Sequence, residues 1–219
     1  MHIPDGLIGK SDIASTLINP EYQLIIYAII SIILLILVFN KFRKNHTEKD
    51  IPKVALFVVA CVIVQMIEIP LPVPACVHIS LITILALYDL DLSMIVYAFV
   101  TIIQAFLGEG GVSTMGINVL NLAILAPLIA YYVYNILKSY NKNIALFLSG
   151  FATITLLGVI VSIEYALAGV YPLTFGLTVI TPIEAVVGVL EGIVTVFVMN
   201  ALLKIKPELV PELAESNGE

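Results

Sequence analysis

Long runs of apolar residues, uninterrupted by charge, dominate the chain. Segments such as Leu24–Phe39 show no alternation of apolar and polar residues, so they do not have the pattern of strands in a membrane β-barrel. A run of about 20 apolar residues can cross the hydrocarbon layer of a bilayer as a helix. Seven such helices are predicted, at Tyr22–Phe39, Pro52–Ile69, Ala75–Tyr88, Leu92–Leu107, Met115–Leu137, Ile144–Ala168 and Leu177–Leu203.

Composition supports the same interpretation. The 219 residues are 60% hydrophobic and 12% charged, whereas soluble globular domains are about 25% charged. The net charge of -6 leaves no basic face for nucleic acid, and two cysteines do not form a disulfide scaffold or a cysteine-rich metal site. We therefore predict an all-α, polytopic protein of the cell membrane, surrounded by lipid. Residues 1–206 are expected to form one membrane domain, and residues 207–219 a short acidic cytoplasmic tail.

The basic residues predict the orientation. With seven crossings, nine of the ten Lys and Arg residues fall on one side, and only Lys10 falls on the other. The nine are Lys41, Arg43, Lys44, Lys49, Lys53, Lys138, Lys142, Lys204 and Lys206. Because cytoplasmic loops are enriched in Lys and Arg, the N-terminus is predicted outside and the C-terminus inside. No cleavable signal peptide is recognisable, so we expect Met1 and His2 to remain in the mature protein.

Histidines are the best candidates for metal ligands. The predicted topology places His2 and His78 on the outer side and His46 in a solvated cytoplasmic loop. An N-terminal amine, the next amide nitrogen and an imidazole at position 2 can close fused chelate rings around one metal, and His78 would add a fourth nitrogen. Nitrogen-rich sites suit late divalent metals such as nickel or copper. Alternatively, His78 is a hydrogen-bonded interfacial residue, and Asp5 either orients His2 or stabilises a turn.

The apolar runs also contain carboxylates. These are Glu68, Glu109, Glu164, Glu184 and Glu191. Glu184 and Glu191 lie on one helix face and could form a proton relay, but pairing with polar groups at helix contacts is the simpler explanation. The same explanation applies to Gln104, Thr114, Asn118 and Asn121. No hydrolase or nucleotide-binding motif is present, so the chain is predicted not to be an enzyme.

Several motifs together resemble one family. They are Met1-His-Ile-Pro-Asp-Gly6, His78 at the start of an apolar run, Leu107-Gly-Glu-Gly-Gly-Val-Ser-Thr-Met-Gly-Ile-Asn-Val-Leu-Asn121, Glu191-Gly-Ile-Val-Thr195 and Lys206-Pro-Glu-Leu209. In this order they resemble the CbiM/NikM family, the substrate-binding membrane subunits of cobalt and nickel energy-coupling-factor (ECF) transporters. The resemblance implies that Met1, His2 and His78 hold the metal. The chain departs from the family at Pro74-Ala-Cys-Val77, where small residues are usual, and at Glu184, near a frequent histidine.

The resemblance also implies a mechanism and partners. The chain would capture divalent cobalt or nickel outside, and a transmembrane coupling subunit with two ATPase subunits would drive import. A small accessory membrane subunit is expected as well, and imported cobalt would supply cobalamin biosynthesis. No prosthetic group is implied. The competing hypotheses are a self-sufficient proton-coupled carrier that uses the intramembrane carboxylates, and an intramembrane enzyme. The choice between cobalt and nickel stays open.

Overall fold

Helices account for most of the computed structural model, which describes residues 2–8, 19–67, 69–70, 76–77 and 79–209. The helices are α1 (Pro20–Asn45), α2 (Ile51–Gln65), α3 (Ile82–Tyr88), α4 (Leu90–Leu107), α5 (Met115–Leu137), α6 (Lys142–Leu167) and α7 (Leu173–Ile205). Two short strands, β1 (Ile69–Pro70) and β2 (Cys76–Val77), pair antiparallel. Single 3₁₀ turns cover Glu48–Asp50 and Pro207–Leu209.

Local sequence explains where several helices begin and how two of them are irregular. Asn19, Asp89 and Asn141 cap α1, α4 and α6 by accepting a backbone N–H in the first turn. A π-helical turn interrupts α5 at Leu120–Leu125 and α7 at Gly176–Ile180, and a proline follows each turn. A proline ring clashes with the carbonyl four residues earlier, so a widened turn there relieves the contact.

The structure confirms most of the predicted spans and corrects two. Among the described residues, five helices are long and apolar enough to cross a membrane: α1, α4, α5, α6 and α7. The predicted span Pro52–Ile69 ends as a helix at Gln65, and α2 has only 15 residues. A continuous helix over Ala75–Tyr88 is wrong, because Cys76–Val77 is a strand and α3 has only 7 residues.

Prolines give the physical reason for this interruption. Pro70, Pro72 and Pro74 lack a backbone N–H and disfavour helix at the residue before them, which ends the helical register. Leu81 then adopts a left-handed conformation, with φ of 62°, immediately before α3. We name residues 66–81 the broken segment, of which the structure describes 66–67, 69–70, 76–77 and 79–81. Non-helical backbone inside a membrane protein must find hydrogen-bond partners within the protein.

Glycines bring α6 and α7 into close contact. A Cβ on Gly150 would lie 2.9 Å from Gly192 Cα, and a Cβ on Gly192 would lie 2.6 Å from the carbonyl oxygen of Phe147. Gly188 likewise faces the carbonyl of Phe151. Only small residues allow two helix backbones to approach this closely. This pair of helices therefore forms a rigid support for the side chains that α7 presents to the interior.

One end of the bundle collects the basic loops, and we call it the basic end. Tyr134, Ala145, Leu146 and Met199 are buried there, so that α5, α6 and α7 meet. Lys41 pairs with Asp91 at 2.8 Å. His46 was predicted to be solvated, but its side chain is only 12% exposed, and its Nε2 lies 2.7 Å from Asp89 Oδ2. The reason is that the C-terminus of α1 packs against the turn between α3 and α4.

The opposite end holds the first residues of the chain, and we call it the N-terminal end. Ile3 and Ile8 are buried against Ile117, Val161 and Tyr165, and Leu24 and Tyr27 at the start of α1 pack on the same cluster. His2 and His46 therefore lie at opposite ends of α1, as predicted. The side of the membrane that each end faces stays a prediction.

Candidate functional site

The N-terminal segment, His2–Ile8, is inserted into the bundle through its backbone. Ile3 is 1% exposed. Its N–H donates to Asn118 Oδ1 at 2.8 Å, and its carbonyl accepts from Asn118 Nδ2 at 3.0 Å. Thr114 Oγ1 donates to the same carbonyl at 2.6 Å. Asn118 of α5 and Thr114, which precedes α5, thus hold both backbone groups of Ile3. They therefore also fix the position of His2, the residue next to Ile3.

Asp5 attaches the segment to the glycine-rich loop, residues 108–114. Its carboxylate accepts the backbone N–H of Val112 at 3.0 Å and that of Ser113 at 2.8 Å. The hydroxyl of Ser113 donates to it at 2.6 Å. These bonds lower the pKa of Asp5 from its usual 3.8, and the bond from the Ser113 hydroxyl has the largest effect. Of the two predicted roles, the described contacts of Asp5 support the turn-stabilising one.

Two glycines of this loop leave room for the N-terminal segment. Gly110 has φ of +92°, and a Cβ there would lie 3.3 Å from His2 Cβ. A Cβ on Gly111 would lie 2.2 Å from Asp5 Oδ1 and 2.6 Å from the Asp5 backbone nitrogen. Any side chain at position 111 would therefore displace Asp5. Gly110 and Gly111 are needed at this place because the N-terminal segment passes against them.

The predicted metal ligands fall only partly within the described residues. His2 is half-buried beside Gly110. Met1 and His78 lie outside the described residues. Within the described part of the chain, no group of three or more His, Cys, Asp or Glu side chains is placed to hold a metal. That result concerns side chains alone, whereas the predicted site also uses an amine and a backbone nitrogen.

Ser80, two residues after His78 in the sequence, is held by two other elements. Its backbone N–H donates to the Glu191 carboxylate of α7. Its carbonyl accepts from Gln65 Nε2, at the end of α2, at 3.3 Å. Its hydroxyl accepts the N–H of Ile82 at 3.3 Å. These bonds satisfy the non-helical backbone where the broken segment meets α3.

A chain of side-chain hydrogen bonds, buried except at its Glu109 end, links Ser80 to the glycine-rich loop. Gln65 Oε1 accepts from Gln104 Nε2 at 2.9 Å, and Gln104 Nε2 also donates to Glu109 Oε2 at 3.0 Å. Glu109 directly precedes Gly110, which packs against His2. The broken segment and the N-terminal segment are therefore connected through side chains of α2 and α4. Sequence reasoning missed Gln65 and Ser80, although a glutamine within an apolar run is itself a signal of an internal partner.

The remaining predicted polar residues are also placed. Glu164 accepts from Asn121 Nδ2 at 2.8 Å, so this pair joins α5 and α6 as predicted for helix contacts. Gln104 likewise joins α4 to α2. Asn118 instead binds the N-terminal segment. Glu184 is half-buried on α7 and packs closely against Gly158 of α6. A Cβ on Gly158 would lie 2.9 Å from Glu184 Cβ. Glu68 lies outside the described residues.

Removing the Asp5 carboxylate is expected to loosen the N-terminal segment. In Asp5→Ala the backbone amides of residues 112–113 should exchange with deuterium roughly tenfold faster at neutral pH, because each loses its acceptor. The lowered pKa of Asp5 means that its contribution is fully present above pH 3.8 and is lost as the pH falls through the folded-state value. Hydrogen exchange measured by mass spectrometry reports both effects.

Asp50 offers a matched control for this experiment. It is a carboxylate at the basic end, and the side chain of Lys53, followed by the Thr47 backbone, lowers its pKa to about 2. Asp50→Ala should leave exchange at residues 112–113 unchanged. Equal exchange there in Asp5→Ala and the parent would show that Asp5 does not hold the loop.

Residues 2–209 match the family model described as the cobalt uptake substrate-specific transmembrane region, CbiM. The chain belongs to this family. It is therefore a multi-pass plasma-membrane protein and a transmembrane component of cobalt or nickel uptake, as the resemblance predicted.

Individual CbiM relatives match over nearly the whole chain. A putative fused nickel transport protein, NikMN, of Archaeoglobus fulgidus is 29% identical over 98% of this chain and 69% of its own length. A cobalt transport protein CbiM of Acetoanaerobium sticklandii is 26% identical over 95% of this chain and 86% of its own. A crystal structure of a transition metal transporter has the same fold, with a TM-score of 0.80 and 24% identity over 94% of this chain and 93% of that one.

Proposed function

We propose that this CbiM-family chain is the substrate-capture subunit of an ATP-driven ECF-type importer of divalent cobalt or nickel. The observation that carries the proposal is the insertion of the N-terminal segment. Asn118, Thr114 and Asp5 hold this segment against the glycine-rich loop, with His2 beside Gly110. Because both backbone groups of Ile3 are hydrogen-bonded, the adjacent His2 is held in a defined place.

The proposed ligands are four nitrogens. The amine of Met1, the amide nitrogen and imidazole of His2, and the imidazole of His78 would surround the metal, and the first three form fused chelate rings. Nitrogen ligands in a planar arrangement suit nickel, and cobalt at a shared site normally binds more weakly than nickel. Metal selection would then depend partly on the supply of each ion. Imported cobalt would serve cobalamin biosynthesis.

The proposed partners provide the energy. The chain carries no nucleotide-binding motif, so ATP hydrolysis would take place on separate ATPase subunits that act through a transmembrane coupling subunit. A small accessory membrane subunit would complete the assembly. In support of a passive capture role, Glu191 of α7 accepts a backbone N–H of the broken segment. This contact gives Glu191 a structural role that requires no proton relay.

Metal binding and ATP hydrolysis should therefore separate experimentally. The purified chain is expected to bind cobalt or nickel at about one ion per protein, measured by calorimetry and metal analysis, and to hydrolyse no ATP. Proteoliposomes that contain the chain alone should not accumulate metal when a proton gradient is imposed. Gradient-driven accumulation that is lost in Glu184→Gln would instead establish the proton-coupled carrier, and failure to bind either metal would refute the capture function.

A further inference from the structure

We propose that Glu191 and Gln65 are positioning residues for the metal site, because together they fix the backbone of Ser80, two residues after His78. We call the three residues the Ser80 clamp. The proposal rests on the proposed function, since it assigns His78 as a ligand. What it adds is a defined role for a buried carboxylate and a buried amide that do not themselves bind the metal.

The α7 side of the clamp is a carboxylate in a rigid place. Glu191 is 1% exposed, and one of its oxygens accepts the Ser80 N–H. Its other oxygen, Oε2, is buried with no hydrogen-bond partner among the described residues. Burying a carboxylate is costly, and a single N–H bond compensates only part of that cost. Gly192, the next residue, holds this turn of α7 against the backbone of Phe147.

The α2 side of the clamp is an amide with a fixed orientation. Gln65 Nε2 donates to the Ser80 carbonyl and, at 3.2 Å, to the hydroxyl of Tyr97. Its Oε1 accepts from Gln104. Reversing the amide would place its oxygen against the Ser80 carbonyl and its nitrogen against the Gln104 donor. The carbonyl and the N–H of Ser80 are thus held from two helices that are far apart in the sequence.

The backbone around Ser80 has no helix or sheet of its own to fix it. It lies between β2 and α3, and Leu81 takes φ of 62°, a left-handed conformation that is unfavourable for a non-glycine residue. External contacts must therefore determine where this backbone lies. A metal ligand has to be held within about 0.5 Å of its productive position. Loss of the groups that orient a ligand typically lowers metal affinity about 10–100-fold.

The test separates the hydrogen-bond acceptor from the negative charge. Glu191→Gln keeps an oxygen that can accept the Ser80 N–H, whereas Glu191→Leu removes it. We expect Glu191→Leu to weaken nickel binding about 10–100-fold and to change the ligand-field absorption bands of the bound nickel. Glu191→Gln should retain the parent spectrum. Its nickel affinity should stay within about threefold of the parent, a change clearly smaller than the roughly 10–100-fold loss expected for Glu191→Leu. Calorimetry in detergent, with the full chain and nickel alone, gives the affinities.

The matched control is Thr195→Val, one turn further along α7. Thr195 is also fully buried, and Val has nearly its shape, so nickel binding should be unchanged. If Glu191→Leu does not fold, Gln65→Met removes the other half of the clamp and should weaken binding in the same direction. Unfolding temperatures measured without metal report any loss of stability. The nickel spectrum reports a displaced ligand, because a purely structural defect would not alter it.

Three results would overturn the clamp, and they are distinguishable. If Glu191→Gln lost as much affinity as Glu191→Leu, the charge and not the acceptor would matter. If Glu191→Leu and Gln65→Met bound nickel like the parent while His78→Ala did not, the clamp would be wrong and the proposed function would stand. Parent-like binding in His78→Ala would instead reject the ligand assignment, and the clamp with it.

Discussion

A single glycine added before Met1 is expected to abolish high-affinity metal binding while the fold stays intact. The extension turns the Met1 amine into an amide and moves the new amine one residue away from the proposed site. The segment has no slack to compensate, because Asn118 and Thr114 fix both backbone groups of Ile3. The proposed chelate rings would then lose their first nitrogen.

The size of this effect follows from the number of ligands. Four-ligand zinc sites bind with about 10–16 kcal/mol, or roughly 2.5–4 kcal/mol per ligand. Each 1.4 kcal/mol is tenfold in affinity, so one lost nitrogen should cost about 60- to 700-fold. Competition titration with a metal-binding dye measures the change. A glycine added after Glu219 is the control, and undiminished binding in the N-terminally extended protein would contradict the assignment of the amine.

Hydropathy predicted the five long helices because the length of an apolar run directly measures how much bilayer a helix can cross. The same measure failed at the broken segment. Its residues are apolar enough to continue a span, but prolines at positions 70, 72 and 74 disfavour helix. The helix α2 ends at Gln65, and Ile69–Pro70 pairs with Cys76–Val77 as β1 and β2. Proline content therefore corrects hydropathy where the two disagree.

Contacts between distant residues were the part that sequence could not supply. Asp5 permitted two roles, and the choice depends on the loop at Val112 and Ser113, more than 100 residues away. Glu191 and Ser80 are 111 residues apart, and nothing local to either identifies the other. His46 was predicted to be solvated because its neighbours are basic, yet its partner Asp89 comes from another turn. Partners of this kind are set by how helices pack.

His78→Ala and His46→Ala are expected to differ sharply in metal binding. His78→Ala removes one of the four proposed nitrogens and should weaken nickel or cobalt binding about 60- to 700-fold, by the same ligand arithmetic. His46→Ala should bind like the parent, because His46 caps α1 at the basic end and bonds to Asp89. Its effect should be confined to stability, through the lost hydrogen bond and the lost stacking on Phe42 at 4.1 Å.

The pH dependence makes this comparison decisive. A metal binds the unprotonated imidazole, so protons compete with it, and binding by the parent should weaken as the pH falls through about 6.5. In His78→Ala one competing proton is removed, and the remaining affinity should fall less steeply with pH than in the parent. His46→Ala should keep the full slope. Titration of both variants at pH 7.5 and pH 5.5, about one unit either side of that value, measures these slopes. If His78→Ala keeps both the affinity and the slope of the parent, the metal lies elsewhere, and the family assignment fails at that residue.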